Sequence, residues 1–177
     1  GNARYRKDQI FVRYFRAPSP VRAMGSLAAK AFSGFDSRFA NRVKNFVERG
    51  SMPNPDRFYS DDSFASDHFD ELLTAGFRSQ LGRDDSLDVQ RAIFGASDAA
   101  DDLHRLMYLD LKMTIADNDV VKVVRAAKLA GVQVVFPYLD RELIDYTGHL
   151  PASDKVRGLE KRFLFKLATQ EILPEAS

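Results

Sequence analysis

The stretch VFPYLDRELIDYTGHLP, residues 135–151, decides how the chain is read. Pro137 suits a first helical turn, because its missing N–H would have no helical partner there. Asp140 follows in the same turn, where free N–H groups and the helix dipole favour a carboxylate. Leu139, Leu143, Ile144 and Tyr146 then fall on an interior face, and Gly148 allows a left-handed exit before Leu150-Pro151. The pattern predicts a helix from Pro137 to about Thr147.

Working outward, most of the chain reads as helix. On the N-terminal side, Asp117 or Asn118 is placed to cap a helix through Ala130, with Gly131 as its stop. Between Gly131 and Pro137, VQVVF is β-branched but short and isolated, so it reads as an extended connector. Ser97 is placed to cap a helix whose buried stripe is Leu103, Leu106, Met107 and Leu111, with Asp98, Asp101 and Asp102 near its positive end. Ser86 begins a short helix through Ile93. Residues 62–81 hold one helix around Phe64 to Leu73 and more helix towards Leu81.

Further back, Tyr5, Ile10, Phe11, Tyr14 and Phe15 are the apolar members of a basic helix ending before Pro18 and Pro20. Residues 21–32 and 36–49 make two more helices across the SGFD break. The second carries Phe39, Val43, Phe46 and Val47 at helical spacing, and Gly50 ends it. SMPNPD is a loop. C-terminal to the opening stretch, a last helix runs from about Gly158 to Ile172.

Composition limits the classes open to this chain. Its 177 residues are enough for one domain with a real core. A content of 45% hydrophobic and 29% charged residues places it among soluble globular proteins. No run of about 18 apolar residues exists, so no transmembrane helix is expected. The N-terminus GNARYRKDQIF lacks the apolar region of a signal peptide. Cysteine is absent, which excludes disulfides, thiolate catalysis and cysteine metal sites and fits a cytoplasmic setting.

The net charge of +1 hides a split. Residues 1–50 hold 11 Lys/Arg against 3 Asp/Glu, residues 51–110 hold 5 against 13, and residues 111–177 hold 10 against 9. A basic first third suits an anionic partner such as a nucleotide phosphate or RNA. It suits equally a basic face packed near the acidic middle, which is the expectation favoured here. RYRKDQIFVRYFR interleaves cations and aromatics as single-strand binders do. At helical spacing, however, those aromatics fall on the side a core would hold, so nucleic acid is the weaker reading.

Motifs for autonomous chemistry are missing. No strand-helix alternation, G-x-G-x-x-G or G-x-x-x-x-G-K-[ST] occurs, so the chain shows no nucleotide-binding sheet of its own. His68, His104 and His149 form no short ligand pair; His68 with Asp70 and Glu71 is the best metal candidate and a weak one, so no metal site is expected. No serine sits in a nucleophile elbow. The acidic run DRFYSDDSFASDHFDE lacks calcium-loop spacing.

The stretch DNDVVKVVRAAKLAGVQVVFPYLDRELIDYTGHLP, residues 117–151, nevertheless resembles the C-terminal synthetase domain of the asparagine synthetase family. That family is similar to β-lactam synthetase and other ATP-dependent amide formers of the N-type ATP-pyrophosphatase group. Its line runs D-x-L-x-K-x-D-R-x-S-M-A-x-x-L-E-x-R-x-P-F-L-D, followed by an apolar helix and a Leu-Pro. GNARY at residues 1–5 resembles the end of the family's G-G-D-E-L-F-G-G-x-x-R-Y segment. YLDLKMTIADND resembles the Asp-rich line before the central motif. LPASDKVRGLEKRFLFKLATQEILP resembles the L-P-x-x-x-K, the basic helix and the second Leu-Pro, with Arg162, Leu164, Phe165, Lys166 and Ala168 filling the helix pattern. The matches fall in family order, while residues 17–100 agree only in helical character.

The resemblance implies a mainly α, multi-helix domain spanning residues 1–177, like the helical second half of the synthetase domain. The α/β half with its S-G-G-x-D-S loop is missing, as are the G-G-D-E segment, the lysine-rich loop after the last Leu-Pro and the glutaminase domain. The chain is therefore expected to be a fragment or truncated relative. The intact enzyme would adenylate a carboxylate with Mg-ATP and let ammonia from glutamine attack. No catalytic residue is assigned within this chain. Arg125, Asp140, Lys155, Arg162 and Lys166 are the candidates for the substrate or ATP cleft. Asp140 is expected chiefly to cap and orient, and Arg125 to pair structurally. The implied partners are the missing α/β half and glutaminase domain, with self-association through an exposed apolar face.

The motif also departs from the family. Val124 replaces the usual Asp, Ala127-Lys128 replace Ser-Met, and Gln133 and Val135 replace the usual Glu and Arg. Losing both members of an acid-base pair can be structurally neutral, whereas losing one strands a charge. The double change points to a divergent branch and motivates a second reading, a non-catalytic helical interaction module.

Overall fold

The computed structural model describes residues 3–32, 34, 37–61, 63–158, 160 and 162–172. Expectations placed on Gly1, Asn2, Ser33, Phe35, Asp36 and the second Leu-Pro at residues 173 and 174 lie outside them. Helix makes up 72% of the structure, and no strand forms among the described residues, so the fold is mainly α, as the helical periodicity requires. Among the described residues, the β-type contact is an isolated antiparallel bridge between Arg157 and Glu160. The chain divides into two compact units, Arg4–Arg91 and Ala92–Ser177 with Gly1–Ala3.

The first unit is built by α1 (Ala3–Phe15), α2 (Ser19–Ala31), α3 (Arg38–Gly50), the short turns α4 (Asp56–Tyr59), α5 (Phe64–Asp67), α6 (Phe69–Leu72) and α7 (Ala75–Arg78), and the part of α8 (Asp85–Gly95) up to Arg91. Pro18 and Pro20 separate α1 from α2, and Ser37 caps α3 by accepting the Ala40 N–H at 3.1 Å. The aromatics of α1 do face a core. Phe11 and Tyr14 pack on Phe46 of α3 with ring centroids 5.2 and 5.3 Å apart, and Tyr5 stacks on Phe58 at 6.2 Å. Phe39 is exposed and touches only the edge of the core through Phe32, 5.8 Å away.

Gly50 is the last residue of α3 and is buried under Tyr14. A Cβ there would lie 2.7 Å from Tyr14 Cδ1, so the position needs the absence of a side chain. The expected long helix over residues 62–81 is instead three single turns. His68, with φ −104° and ψ 22°, closes one and opens the next, and Leu73 is extended. Residues 56–59 form a helical turn that the loop reading missed.

Charge organises this unit. Asp61 receives Arg49 at 2.5 Å, Lys7 at 3.5 Å and Arg4 at 3.8 Å, so three cations of the basic segment meet one carboxylate of the acidic middle. Deeper, Arg57 Nε donates to Asp8 Oδ1 at 2.8 Å, and Asn54 Nδ2 donates to Asp8 Oδ2 at 3.2 Å. Arg57 Nη1 donates to the Met52 carbonyl at 2.8 Å. Arg57 is 2% and Asp8 6% exposed, so this pair sits inside the fold, where a charge is tolerated only with a partner.

The second unit begins around Phe94 and α9 (Asp102–Asp110). Leu103, Leu106 and Leu109 are its core; Met107 and Leu111, expected in the stripe, are half-buried. The cap is Asp101 rather than Ser97: Asp101 is extended, and its Oδ1 accepts the His104 N–H at 3.0 Å. The break expected at Asp117 or Asn118 does not occur. The chain stays helical through a π-helical stretch (Leu111–Val120) and α10 (Val121–Ala130), because no Gly or Pro interrupts it and Asp and Asn only favour a cap. Gly131 takes φ +68° and ends the run, as expected. Residues 132–136 form a connector without regular secondary structure.

Three short elements complete the unit: α11 (Arg141–His149), α12 (Ala152–Lys155) and α13 (Phe163–Thr169). The last helix starts later than the sequence suggested. Gly158 and Arg162 both have positive φ, 55° and 57°, which interrupts a right-handed helix. α12 was not foreseen; it follows Pro151, whose fixed φ favours a helix start.

Candidate functional site

The motif turn folds differently from its first reading. Pro137–Leu139 is a separate 3₁₀ turn, and α11 begins only at Arg141. Asp140 sits between them as the N-cap residue. Its Oδ1 accepts the N–H groups of Glu142 at 3.0 Å and Leu143 at 3.2 Å. Pro137 therefore shapes the approach, and Asp140 supplies the acceptor for two otherwise orphaned donors. Tyr138 meets Phe165 of α13 edge-on at 6.1 Å, which fixes the turn against the basic last helix. Leu139 and Ile144 are half-buried, but Leu143 and Tyr146 are exposed. Helical spacing tells which residues share a face, not whether anything covers it. α11 leaves through extended Leu150, not through a left-handed Gly148.

The other candidates fall as follows. Arg125 is exposed on α10, and among the described residues it makes no ion pair, with Asp140 or any other carboxylate. Arg162 is exposed in its left-handed position just before α13. Lys166, one turn on, lies 3.6 Å from Glu160. The Lys166 backbone N–H donates to the Arg162 carbonyl at 2.9 Å, and no side-chain hydrogen bond or ion pair among the described residues joins Arg125, Asp140, Arg162 and Lys166 to one another.

Lys155 behaves differently. It is half-buried at the end of α12, with Nζ 2.6 Å from His104 Nε2 and 3.3 Å from the Gly148 carbonyl. His104 Nδ1 lies 2.5 Å from Asp101 Oδ2, and Nε2 is also 3.0 Å from the Leu150 carbonyl. Asp101, His104 and Lys155 thus form a continuous chain of polar contacts from α9 to α12.

The proton logic of this chain is constrained. A carboxylate only accepts, so Nδ1 carries the hydrogen it gives to Asp101. Nε2 then has one choice. Without a hydrogen it accepts from the Lys155 ammonium; with one it donates to the Leu150 carbonyl. Burial pushes the Lys155 ammonium below the usual lysine range, with the Asp101 carboxylate acting the other way. For Asp101, burial raises the carboxyl, but hydrogen bonds from the His104 N–H and ring outweigh it and hold the group below the usual range. The sequence named Lys155 but missed its partners. An Asp three residues before a His at a helix start was the local signal for Asp101 and His104; the link to Lys155, 51 residues on, had none.

The Gly131 stop of α10, the capped Pro-Tyr-Leu-Asp turn and α13 follow one another along residues 121–169. The chain belongs to the asparagine synthase family, whose model matches residues 1–177. It is similar to asparagine synthetase [glutamine-hydrolyzing] 1 of Bacillus subtilis (strain 168), with 22% identity over 134 residues, 76% of this chain. The chain spans 21% of that relative's length. No solved structure matches it. Among the described residues, no helix is long and apolar enough to cross a membrane, and no group of three or more His, Asp or Glu residues is placed to hold a metal ion.

Proposed function

We propose that this chain is the helical part of the synthetase domain in a glutamine-dependent, ATP-consuming, amide-forming ligase of the cytoplasm. The observation that carries the reading is the family match over residues 1–177. The ligase would activate a carboxylate by adenylation and form the amide when ammonia from glutamine displaces AMP. Adenylation needs positive charge at the departing pyrophosphate. Within this chain, Arg125 and Arg162 are exposed cationic side chains that would take phosphate oxygens, and Lys166 would do so by leaving Glu160. Magnesium bound with ATP would supply further charge at the pyrophosphate, with ligands drawn from outside the described residues.

Under this reading Asp140 acts chiefly by holding the turn and α11, its Oδ1 accepting two backbone N–H groups. The partners would be an α/β nucleotide-binding half and a glutaminase domain of the same protein. The isolated chain would self-associate through apolar surface that those parts otherwise cover.

The test uses the full-length protein that contains this chain, supplied with Mg-ATP, aspartate or other carboxylates, and glutamine or ammonium. AMP and pyrophosphate should appear with the amide, while the 177 residues alone should make none. Full-length protein that yields no AMP with any carboxylate would overturn the ligase reading. A second reading, a non-catalytic interaction module, is favoured by one observation. Where the family's acid-base pair is lost, Leu129, Val132 and Val135 stand 91%, 59% and 80% exposed. Absence of both AMP formation and ATP binding in the full-length protein would decide for it.

A further inference from the structure

We propose that Lys155 is a site of acyl transfer, its amine accepting an acyl group from an acyl phosphate with His104 as the proton acceptor and Asp101 as the group that orients the ring. The inference goes beyond the ligase reading and does not depend on it.

A lysine becomes a nucleophile only when its ammonium gives up a proton. Three other lysines of this chain are placed to keep it. Lys7 lies 3.5 Å from Asp61, Lys122 3.5 Å from Asp119, and Lys166 3.6 Å from Glu160. Each carboxylate stabilises the charged form. Lys155 instead meets a ring nitrogen at 2.6 Å, within hydrogen-bond reach and able to take the proton. Asp101, 2.5 Å from the opposite ring nitrogen, fixes the tautomer that leaves Nε2 open and stabilises the imidazolium that forms. The Leu150 carbonyl, 3.0 Å from Nε2, is ready to receive the new N–H. The low reference state of the ammonium, pushed down by burial, works in the same direction.

The elements packed around Lys155 bring few other charges. α9 contributes Asp101 and His104. α11 ends in His149, whose ring contacts the Asp145 carbonyl on its own helix at 2.6 Å, and in the Gly148 and Leu150 carbonyls. α12 itself carries Asp154, and α13 carries Lys166, already beside Glu160. Of these charged groups only His104 is in hydrogen-bond contact with the Lys155 amine, and Asp101 acts on it through the ring.

The step balances. The ammonium proton passes to His104 Nε2 and leaves a lone pair on Nζ. That pair forms the N–C bond at the acyl carbon, the C–O bond to phosphate breaks, and phosphate leaves with its electron pair. One amine hydrogen stays on the amide nitrogen, and the other goes to the departing phosphate.

The experiment treats the 177-residue chain with limiting acetyl phosphate from pH 6.5 to 9 and measures acetylation of each lysine by peptide mass spectrometry. Lys155 should react first, about tenfold faster than Lys122 or Lys128 for each unit by which its amine is freed more easily. Its rate should fall off at lower pH than theirs. His104→Gln keeps an acceptor for the ammonium but takes no proton, so it should reduce Lys155 to the rate of the exposed lysines. Asp101→Asn should reduce it in part. Far-UV circular dichroism confirms that the variants stay helical; if His104→Gln does not, the wild-type rates and pH profiles decide alone. Lys155 reacting at the pace of Lys122, or unchanged in a helical His104→Gln chain, would overturn the proposal.

Discussion

Replacing Arg57 by Met tests whether the first unit is held by a buried ion pair. Arg57 and Asp8 are among the most enclosed polar side chains described, 3% and 8% exposed at the side chain, with Nε–Oδ1 at 2.8 Å. Methionine fills similar volume but leaves Asp8 with only the Asn54 amide donor, 3.2 Å away. Stranding one member of such a pair costs about 3–5 kcal/mol. Arg57→Met should therefore destabilise by about 3–5 kcal/mol at pH 7. The paired change Asp8→Leu with Arg57→Met leaves no charge inside and should cost less than Arg57→Met alone. Urea unfolding followed by far-UV circular dichroism measures all three. A loss of under about 1 kcal/mol at pH 7, or a paired change that costs as much as Arg57→Met alone, would refute the reasoning.

Three other outcomes follow from the same geometry. Asp140→Ala removes the acceptor for two N–H groups that water can partly replace, so it should cost about 1 kcal/mol in urea unfolding, while Asp140→Asn, which still caps, should cost only a few tenths. Gly50→Ala places a Cβ 2.7 Å from Tyr14 Cδ1 and should destabilise by about 1–3 kcal/mol, an effect that vanishes in a Tyr14→Ala background. Because the folded-state carboxyl of Asp101 lies below its ordinary value, its contribution is present above the unfolded pKa, about 3.9, and fades as pH falls through the folded one. The stability advantage of wild type over Asp101→Asn should hold from pH 7 to about 5 and disappear in more acidic urea titrations.

What the sequence disclosed was what residues three or four apart can say about each other. The α1 stripe, the Pro18–Pro20 break and the Gly131 stop are local events, and each is where the periodicity put it. Boundaries failed where two local signals competed. Ser97 and Asp101 are both good caps, and the chain uses the one whose carboxylate also holds a histidine ring. Asp117 and Asn118 are good caps too, but helix on both sides outlasts the preference. Burial failed on α11, where Leu143 and Tyr146 share a face that nothing in these described residues covers.

The candidate site was half legible for the same reason. Family order pointed to Lys155 and Asp140 as single residues, and only the fold shows that their environments differ. Asp140 spends Oδ1 on two N–H groups of its own helix, a local and structural role. Lys155 reaches back 51 residues to a ring on α9, so its chemistry depends on tertiary placement. A lysine next to a carboxylate is a fixed charge, whereas a lysine next to an oriented imidazole exchanges protons. That difference cannot be written in a spacing, because it depends on which atom of a distant helix ends at the amine. It also reorders the five candidates: Arg125, Arg162 and Lys166 remain cations that a phosphate would attract, and Lys155 is the one whose charge the protein is built to move.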